Sequence, residues 1–148
     1  MKYYLYIFIL SALYCTSAYG QCRQFAVSKK KTLEDFIHDG AYTSISMKPA
    51  QNVQFTKTFF KGQKYRLVLD GAPELLKAEL RIFDQNQNLI YSNIEDGLSK
   101  KWDFVVESTR NLIIMVSIPK SVNMNASGCV SVLLGFKSTE EYVNQLKK

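Results

Sequence analysis

The stretch from Asp84 to Glu95 carries oxygen-bearing side chains at a spacing that could bind calcium. Asp84, Asn86, Asn88 and Ser92 stand at the first, third, fifth and ninth places of a calcium loop, and Glu95 stands at the twelfth. The sixth place needs a glycine for the sharp bend but holds a leucine, and the flanking segments ELRIF and LIYS alternate like strands rather than helices. Because Asp and Asn tolerate tight turns, the sequence predicts a hairpin turn and no metal site, with weak calcium binding near Asp84 as the alternative.

The chain has one histidine and few other side chains in arrangements that could be catalytic. His38, predicted on the polar side of a helix, has Glu34 one turn away and no further ligand at helical spacing, which indicates a surface histidine. Cys129 lies in an apolar strand segment that suits burial or a bridge rather than an activated thiolate. Asp103 and Glu107 share one strand face, about 13 Å apart, which is beyond the separation that glycosidases use. The sequence therefore predicts no catalytic residue, no cofactor and no enzyme.

Four aromatic side chains could form a platform that stacks on sugar rings, namely Tyr42, Phe60, Tyr91 and Trp102. Trp102 alternates with apolar residues of the WDFVVES segment, so its predicted place is the core. Phe60 and Tyr91 fall on the less apolar faces of their strands. These two residues are the predicted ligand contacts.

The N-terminus has the layout of a secretory signal peptide. Lys2 precedes an apolar run over residues 3–14, and Ala18 and Gly20 are small residues at the two places that a signal peptidase reads. A membrane anchor is the alternative, but the run is short for a span of about 20 residues. We expect cleavage after Gly20 and a periplasmic or secreted protein with no stable membrane span once residues 1–20 are removed.

The predicted mature chain, residues 21–148, is long enough for one domain with a modest core. The formal net charge of the whole chain is +6, and removal of the signal takes away Lys2 and leaves +5. The remaining lysines are dispersed, so the excess favours weak attraction to anionic surfaces and does not indicate a nucleic-acid partner. The sequence leaves the oligomeric state open.

Two cysteines remain in the mature chain, Cys22 and Cys129. An exported protein meets oxidising conditions, so these two residues can form a single disulfide between the extreme N-terminus and a late strand. The alternative is a buried thiol at Cys129 and a frayed end at Cys22. The compartment favours the disulfide.

Helical periodicity occurs only near the two ends of the mature chain. Residues 28–39 are predicted as a helix with Leu33, Phe36 and Ile37 on one face. Residues 138–147 are predicted as a C-terminal helix that begins with a capping-box spacing.

Residues 41–137 have the period of strands. The segments VQFTKTFF and YRLVLD, with Gly62 between them, are predicted as a hairpin, and LIIMVSIP as a central strand covered on both faces. Short strands without intervening helices predict a mainly β fold, a two-sheet antiparallel sandwich of jelly-roll type with a short helix near each end of the mature chain.

Four segments between Val53 and Lys137 carry a family resemblance: FTKTFFKGQKYRLVLDG, AELRIFDQNQNLIYSN, WDFVVESTRNLIIMVSI and GCVSVLLGFK. Together they resemble the bacterial pre-peptidase C-terminal family, and more closely small exported envelope proteins of Bacteroidetes. The resemblance implies a jelly-roll sandwich that acts as an accessory or binding module. Asn88 stands where the family hairpin has glycine, and the chain carries no protease domain.

These observations predict a non-catalytic exported module that acts at the cell envelope through protein or glycan contacts. A structural or secretion-assisting domain without a dedicated ligand is the first alternative. A small hydrolase is the second, and it would need a pocket in which titratable side chains converge.

Overall fold

The structure, a computed structural model, describes residues 20–75, 77–120 and 123–139. It contains one α-helix, α1 (Gly20–Ser28), and two short 3-10 helices, Lys30–Leu33 and Pro73–Leu75, among these residues. Nine strands make up most of the rest: β1 (Ile37–His38), β2 (Thr43–Met47), β3 (Asn52–Phe59), β4 (Gln63–Gly71), β5 (Glu79–Phe83), β6 (Leu89–Ser92), β7 (Lys101–Val106), β8 (Arg110–Ser117) and β9 (Gly128–Ser138).

The strands form two antiparallel sheets. In the five-stranded sheet, β9 pairs on one side with β4, which in turn pairs with β7. On its other side β9 pairs with β2 along its first half and with β1 further on. The four-stranded sheet has the order β3-β8-β5-β6. The prediction of a mainly β, two-sheet antiparallel sandwich is confirmed.

The main core lies between the two sheets, where alternate residues of each strand point inward. It is built from fully buried side chains of both sheets, among them Phe59, Leu67, Leu80, Ile82 and Ile114. β8 differs from its prediction, because only one of its faces is buried and the residues of the other are half-exposed.

A second, smaller core lies on the outer face of the five-stranded sheet. Ala26 of α1, Leu33 of the first 3-10 helix and Phe36 just after it pack against Val68 of β4 and Leu133 of β9. This cover explains why β9 is buried on both faces over residues 130–134.

The predicted helix over residues 28–39 is wrong. Ser28 is the last residue of α1, and beyond it only Lys30–Leu33 are helical, with 3-10 geometry, because Glu34 has a positive φ of 57° that ends the turn. Leu33 and Phe36 do bury their side chains as the apolar stripe predicts, but Ile37 pairs with Phe136 as a strand residue and is 59% exposed. The burial of Leu33 and Phe36 was predicted correctly, but the backbone of this segment does not form the predicted helix.

The predicted hairpin between β3 and β4 is also wrong. β3 pairs with β8 and β4 pairs with β7 and β9, so the turn at Gly62 carries the chain from one sheet to the other. Gly62 has φ 77°, the left-handed conformation that glycine adopts without strain. The hairpin predicted around Asp84 is confirmed, since β5 and β6 pair directly.

Cys22 of α1 and Cys129 of β9 form a disulfide. The bond closes a sequence separation of 107 residues and fixes the helix to the sheet that it covers. Two predicted segments fall outside the described residues: nearly all of the signal peptide over 1–20, and the C-terminal helix over 138–147 except its first two residues. Within the described ranges no helix is long and apolar enough to cross a membrane.

Candidate binding site

An open groove lies between the two sheets beside β3, and we call it the Phe60 groove. Its volume is about 320 Å³. Pockets that take small molecules begin at about 300 Å³, so this groove suits one or two side chains of a partner better than a large ligand. The residues that line it and matter here are Asp39, Lys57, Phe60, Tyr65, Leu134 and Phe136.

Phe60 is held outward by the residues around it. The preceding residue, Phe59, is fully buried and ends β3, while Phe60 is 59% exposed. The Phe60 N–H donates to the hydroxyl oxygen of Tyr65 at 2.9 Å, and the Lys61 N–H donates to Thr109 Oγ1 at 3.0 Å. These bonds fix the backbone of the turn, so the Phe60 ring is held at the rim of the groove.

One ion pair bridges the two sheets at the groove. Lys57 is the charged residue that interrupts the inward face of β3, and its ammonium group contacts Asp39 Oδ2 at 2.6 Å. The Asp39 side chain is only 10% exposed, so its charge is largely compensated by Lys57 rather than by water.

Tyr91, the other predicted ligand contact, lies elsewhere. It belongs to β6, at the edge of the four-stranded sheet opposite β3. With β8 and β5 between them, the two edges are about 14 Å apart. The structure therefore does not bring Phe60 and Tyr91 into one platform.

The ring of Tyr91 stacks on Trp102 with centroids 4.5 Å apart, and Trp102 stacks in turn on Phe104 at 4.0 Å. Burial, followed by a hydrogen bond to Asp96, raises the pKa of the Tyr91 hydroxyl to about 12. Trp102 is partly buried and packs against the main core, as its strand position predicts. Tyr42, the fourth aromatic candidate, packs against the second core, and its ring contacts that of His38 at a tilt of 40°.

The Asp84 turn is stabilised by its own amide groups. Asp84 Oδ1 accepts hydrogen bonds from the N–H groups of Asn86 and Asn88, each at 2.8 Å, and Oδ2 accepts one from the side chain of Asn88. The Asn88 side-chain bond, with the backbone bonds, holds the pKa of Asp84 below its usual value. Among the described residues no group of three or more His, Cys, Asp or Glu side chains could hold a metal ion.

His38 is not the surface residue that its predicted helix implies. Its side chain is 6% exposed, and its ring lies 4.4 Å from that of Tyr42. Nδ1 accepts a hydrogen bond from the Gly40 N–H at 3.3 Å, whereas Nε2 is buried without a hydrogen-bond partner and lies 3.9 Å from Asp39. The pairing of β1 with β9 sets His38 opposite Gly135, so its side chain lies on the outer face of the five-stranded sheet, beside Tyr42.

A charged network on the outer face of the five-stranded sheet was not foreseen from the sequence. Arg66 binds Asp103 through two hydrogen bonds of 2.7 and 2.8 Å and Glu34 through one of 2.5 Å, and its guanidinium lies 4.4 Å from the Phe36 ring. Lys101 also binds Glu34. Asp103 therefore takes part in an ion pair. Glu107, the other carboxylate of its predicted strand face, is exposed beyond the end of β7.

The sequence could have offered only weak signals for the groove and the network. Lys57 breaks an apolar alternation, and Arg66 and Asp103 are charged residues within strands. Their partners are distant in the chain and become neighbours only through the pairing of β4 with β7 and of β1 with β9.

Comparison with known proteins identifies the fold but no family. No family model matches the chain, and no curated protein matches it significantly. Among solved structures, the chain is similar to PliG of Aeromonas hydrophila, a periplasmic lysozyme inhibitor of g-type lysozyme. The two share 14% sequence identity with a TM-score of 0.51, over 70% of this chain and 90% of the PliG chain. The likeness concerns the fold.

Proposed function

We propose that this protein is an exported, non-catalytic module that binds another protein, and that its partner is a cell-wall-degrading enzyme of the lysozyme class. The observation that carries the proposal is the sandwich fold, shared over 90% of the PliG chain with a periplasmic inhibitor of g-type lysozyme. A disulfide between Cys22 and Cys129 supports export, because such bonds persist in oxidising compartments.

The surface of the domain also supports a binding role. Phe60 is a large apolar residue, 59% exposed, at the rim of an open groove. Aromatic residues, phenylalanine among them, are enriched at protein interfaces relative to the rest of the surface. Asp103, whose spacing from Glu107 already argued against a glycosidase pair, is engaged by Arg66.

Inhibition of a g-type lysozyme tests the proposal. The purified protein is added at increasing molar ratio to the enzyme, and lysis of a cell-wall suspension is followed by turbidity. We expect lysis to stop at a molar ratio near one to one, as for tight stoichiometric binding. Unchanged lysis with excess protein would remove the lysozyme class and leave the wider protein-binding role to be tested by capture of other exported proteins.

Glycan contact remains the second candidate, and the stacked Tyr91 and Trp102 rings are the feature that favours it. Binding of peptidoglycan fragments, lost on Tyr91→Ala and kept on Phe60→Ala, would support it over protein binding. Membership of the pre-peptidase C-terminal family stays a prediction.

A further inference from the structure

The free edge of β3 presents backbone groups to a second strand. β3 pairs with β8 alone among the described residues, so one of its edges is open. Just before the strand, the Ile118 N–H donates to the Gln51 carbonyl at 2.8 Å. Hydrogen-bonded residues alternate along an antiparallel pair, so every second residue after Gln51 directs its backbone groups towards β8. The residues that direct theirs to the open edge are Asn52, Gln54, Thr56 and Thr58.

The Phe60 groove opens at this same edge. Lys57, Thr58 and Phe60 form one of its walls, and Phe136 of the opposite sheet lies across from them. A strand added beside β3 would continue the four-stranded sheet, and alternate side chains of that strand would point inward. A side chain paired opposite the last residues of β3 would therefore enter the groove.

The charges along the edge are mostly positive. Lys48 lies before β3 and Lys61 after it, and neither ammonium group has a carboxylate partner among the described residues. Asp39, which lines the groove, is already paired with Lys57. A partner segment with carboxylates towards its ends complements this arrangement.

We propose that the β3 edge and the Phe60 groove together bind an extended segment of a partner protein as an added strand. This inference rests on the proposed function and names the surface it uses. The segment pairs its backbone with Asn52, Gln54, Thr56 and Thr58, places an apolar side chain against Phe60 and Phe136, and carries acidic residues near Lys48 and Lys61.

β7 is a second open edge and supplies the matched control. The Leu69 N–H donates to the Lys100 carbonyl at 2.8 Å, so by alternation Val105 directs its N–H away from β4. β7 is six residues long, and the side chains of Lys101 and Asp103 are held by Glu34 and Arg66. The groove beside this edge, which Trp102, Phe104 and Val105 help to line, has about 160 Å³, half the volume of the Phe60 groove.

The experiment uses a defined probe. The probe is a fluorescent peptide in which an apolar residue, valine or phenylalanine, occupies every second position and threonine occupies the positions between. Glutamate stands at both ends, and the sequence is the same read from either end. Its binding to the exported protein is followed by fluorescence anisotropy. Thr56→Pro removes an N–H at the open edge of β3, and Val105→Pro removes the equivalent N–H at the open edge of β7. An edge strand tolerates proline at positions whose N–H faces away from the sheet.

We expect the probe to bind, and Thr56→Pro to weaken its binding by about tenfold or more while Val105→Pro leaves it within about twofold. Phe60→Ser and a Lys48→Glu, Lys61→Glu double variant each weaken it as well, the latter in a salt-dependent way. Phe60→Ser keeps the edge backbone intact, so the inference stays testable if Thr56→Pro fails to fold.

Several results would overturn the inference. The first is no binding at about 1 mM probe, or equal loss in the two proline variants. The second is much tighter binding by a chain that ends at Thr139, which would identify residues 140–148 as the occupant. The third is self-association that Thr56→Pro abolishes, which would identify a second copy. A Thr56→Pro variant that still inhibits lysozyme would contradict this surface but leave the proposed function standing.

Discussion

At the scale of single residues, Asn93 shows how one buried amide can organise a loop. It is 1% exposed and follows β6. Its Oδ1 accepts a hydrogen bond from the Leu80 N–H at 2.7 Å, and its Nδ2 donates to the carbonyls of Ala78 and Ser99. These bonds tie the segment between β6 and β7 to the start of β5.

Asn93→Ala should therefore destabilise the protein by about 3 kcal/mol, because several buried backbone groups lose their partners. Chemical denaturation of the variant measures the loss. Asn86→Ala, in the exposed turn at the other end of β5, is the control and should change stability little. An Asn93→Ala variant as stable as Asn86→Ala would contradict the structural role.

Three carboxylates make the stability of the folded state depend on pH in the acidic range. A hydrogen bond from Lys101, with Arg66, lowers the pKa of Glu34, and one from Lys137 lowers the pKa of Asp35. The Asn88 side chain does the same for Asp84. A carboxyl group whose pKa is lower in the folded state binds fewer protons there than in the unfolded state. Its contribution to the free energy of unfolding is therefore fully present above the unfolded pKa, about 4, and is lost as the pH falls through the folded pKa.

The melting temperature should consequently fall between about pH 5 and pH 2. Asp84→Asn cannot titrate, so its melting temperature should fall less steeply over that window. Asn86→Ala, in the same turn, removes no carboxylate and keeps the backbone N–H that binds Asp84, so it should keep the slope of the unaltered protein. Identical slopes in all three proteins would contradict the assignment to Asp84.

At the scale of elements, the contact between β9 and the segment after α1 depends on Gly135. A Cβ atom at this position would lie 2.7 Å from Phe36 Cβ and 3.2 Å from Leu33 Cδ2. Gly135→Ala should cost about 1–3 kcal/mol through overpacking. Thermal unfolding measures this loss, and Ser46→Ala, an exposed change in neighbouring β2, is the control. No loss in Gly135→Ala would mean that the segment is not packed against β9 as described.

The disulfide acts on the same two elements. Since it closes a separation of 107 residues, its removal should cost on the order of 4 kcal/mol by loop entropy. A Cys22→Ser, Cys129→Ser double variant measures this in denaturant, and the unaltered protein under reducing conditions should behave like the variant. Equal stability of the oxidised and reduced forms would contradict the role given to the bond.

The elements also show what the sequence could and could not predict. Alternation identified most strands, and the Asp84 hairpin followed from residue types that favour turns. Burial of Leu33 and Phe36 was predicted, but their backbone was not, because pairing with β9 draws the following residues into a strand. The sequence predicted the turn at Gly62, but it did not predict that the chain crosses there from one sheet to the other. A turn does not specify which strand the following strand pairs with.

At the scale of the whole molecule, the candidate site depends on pairing between distant strands. Phe60 was predicted to be exposed because it falls on the less apolar face of its predicted strand; in the structure it is exposed just after the end of β3. The rest of the groove did not, because Asp39 and Phe136 reach Phe60 only when β1, β9 and β4 share a sheet. Local patterns cannot supply such long-range neighbours.

The central claim is that the domain works by binding a protein. The direct test is to immobilise the exported protein and the Phe60→Ala variant, pass over them the exported proteins of the producing cell at about 0.15 M salt, and compare what each retains. We predict one protein retained in near-stoichiometric amount, displaced by soluble domain and largely lost with Phe60→Ala. Retention of glycan alone, or of nothing on a domain shown to be folded, would contradict the claim.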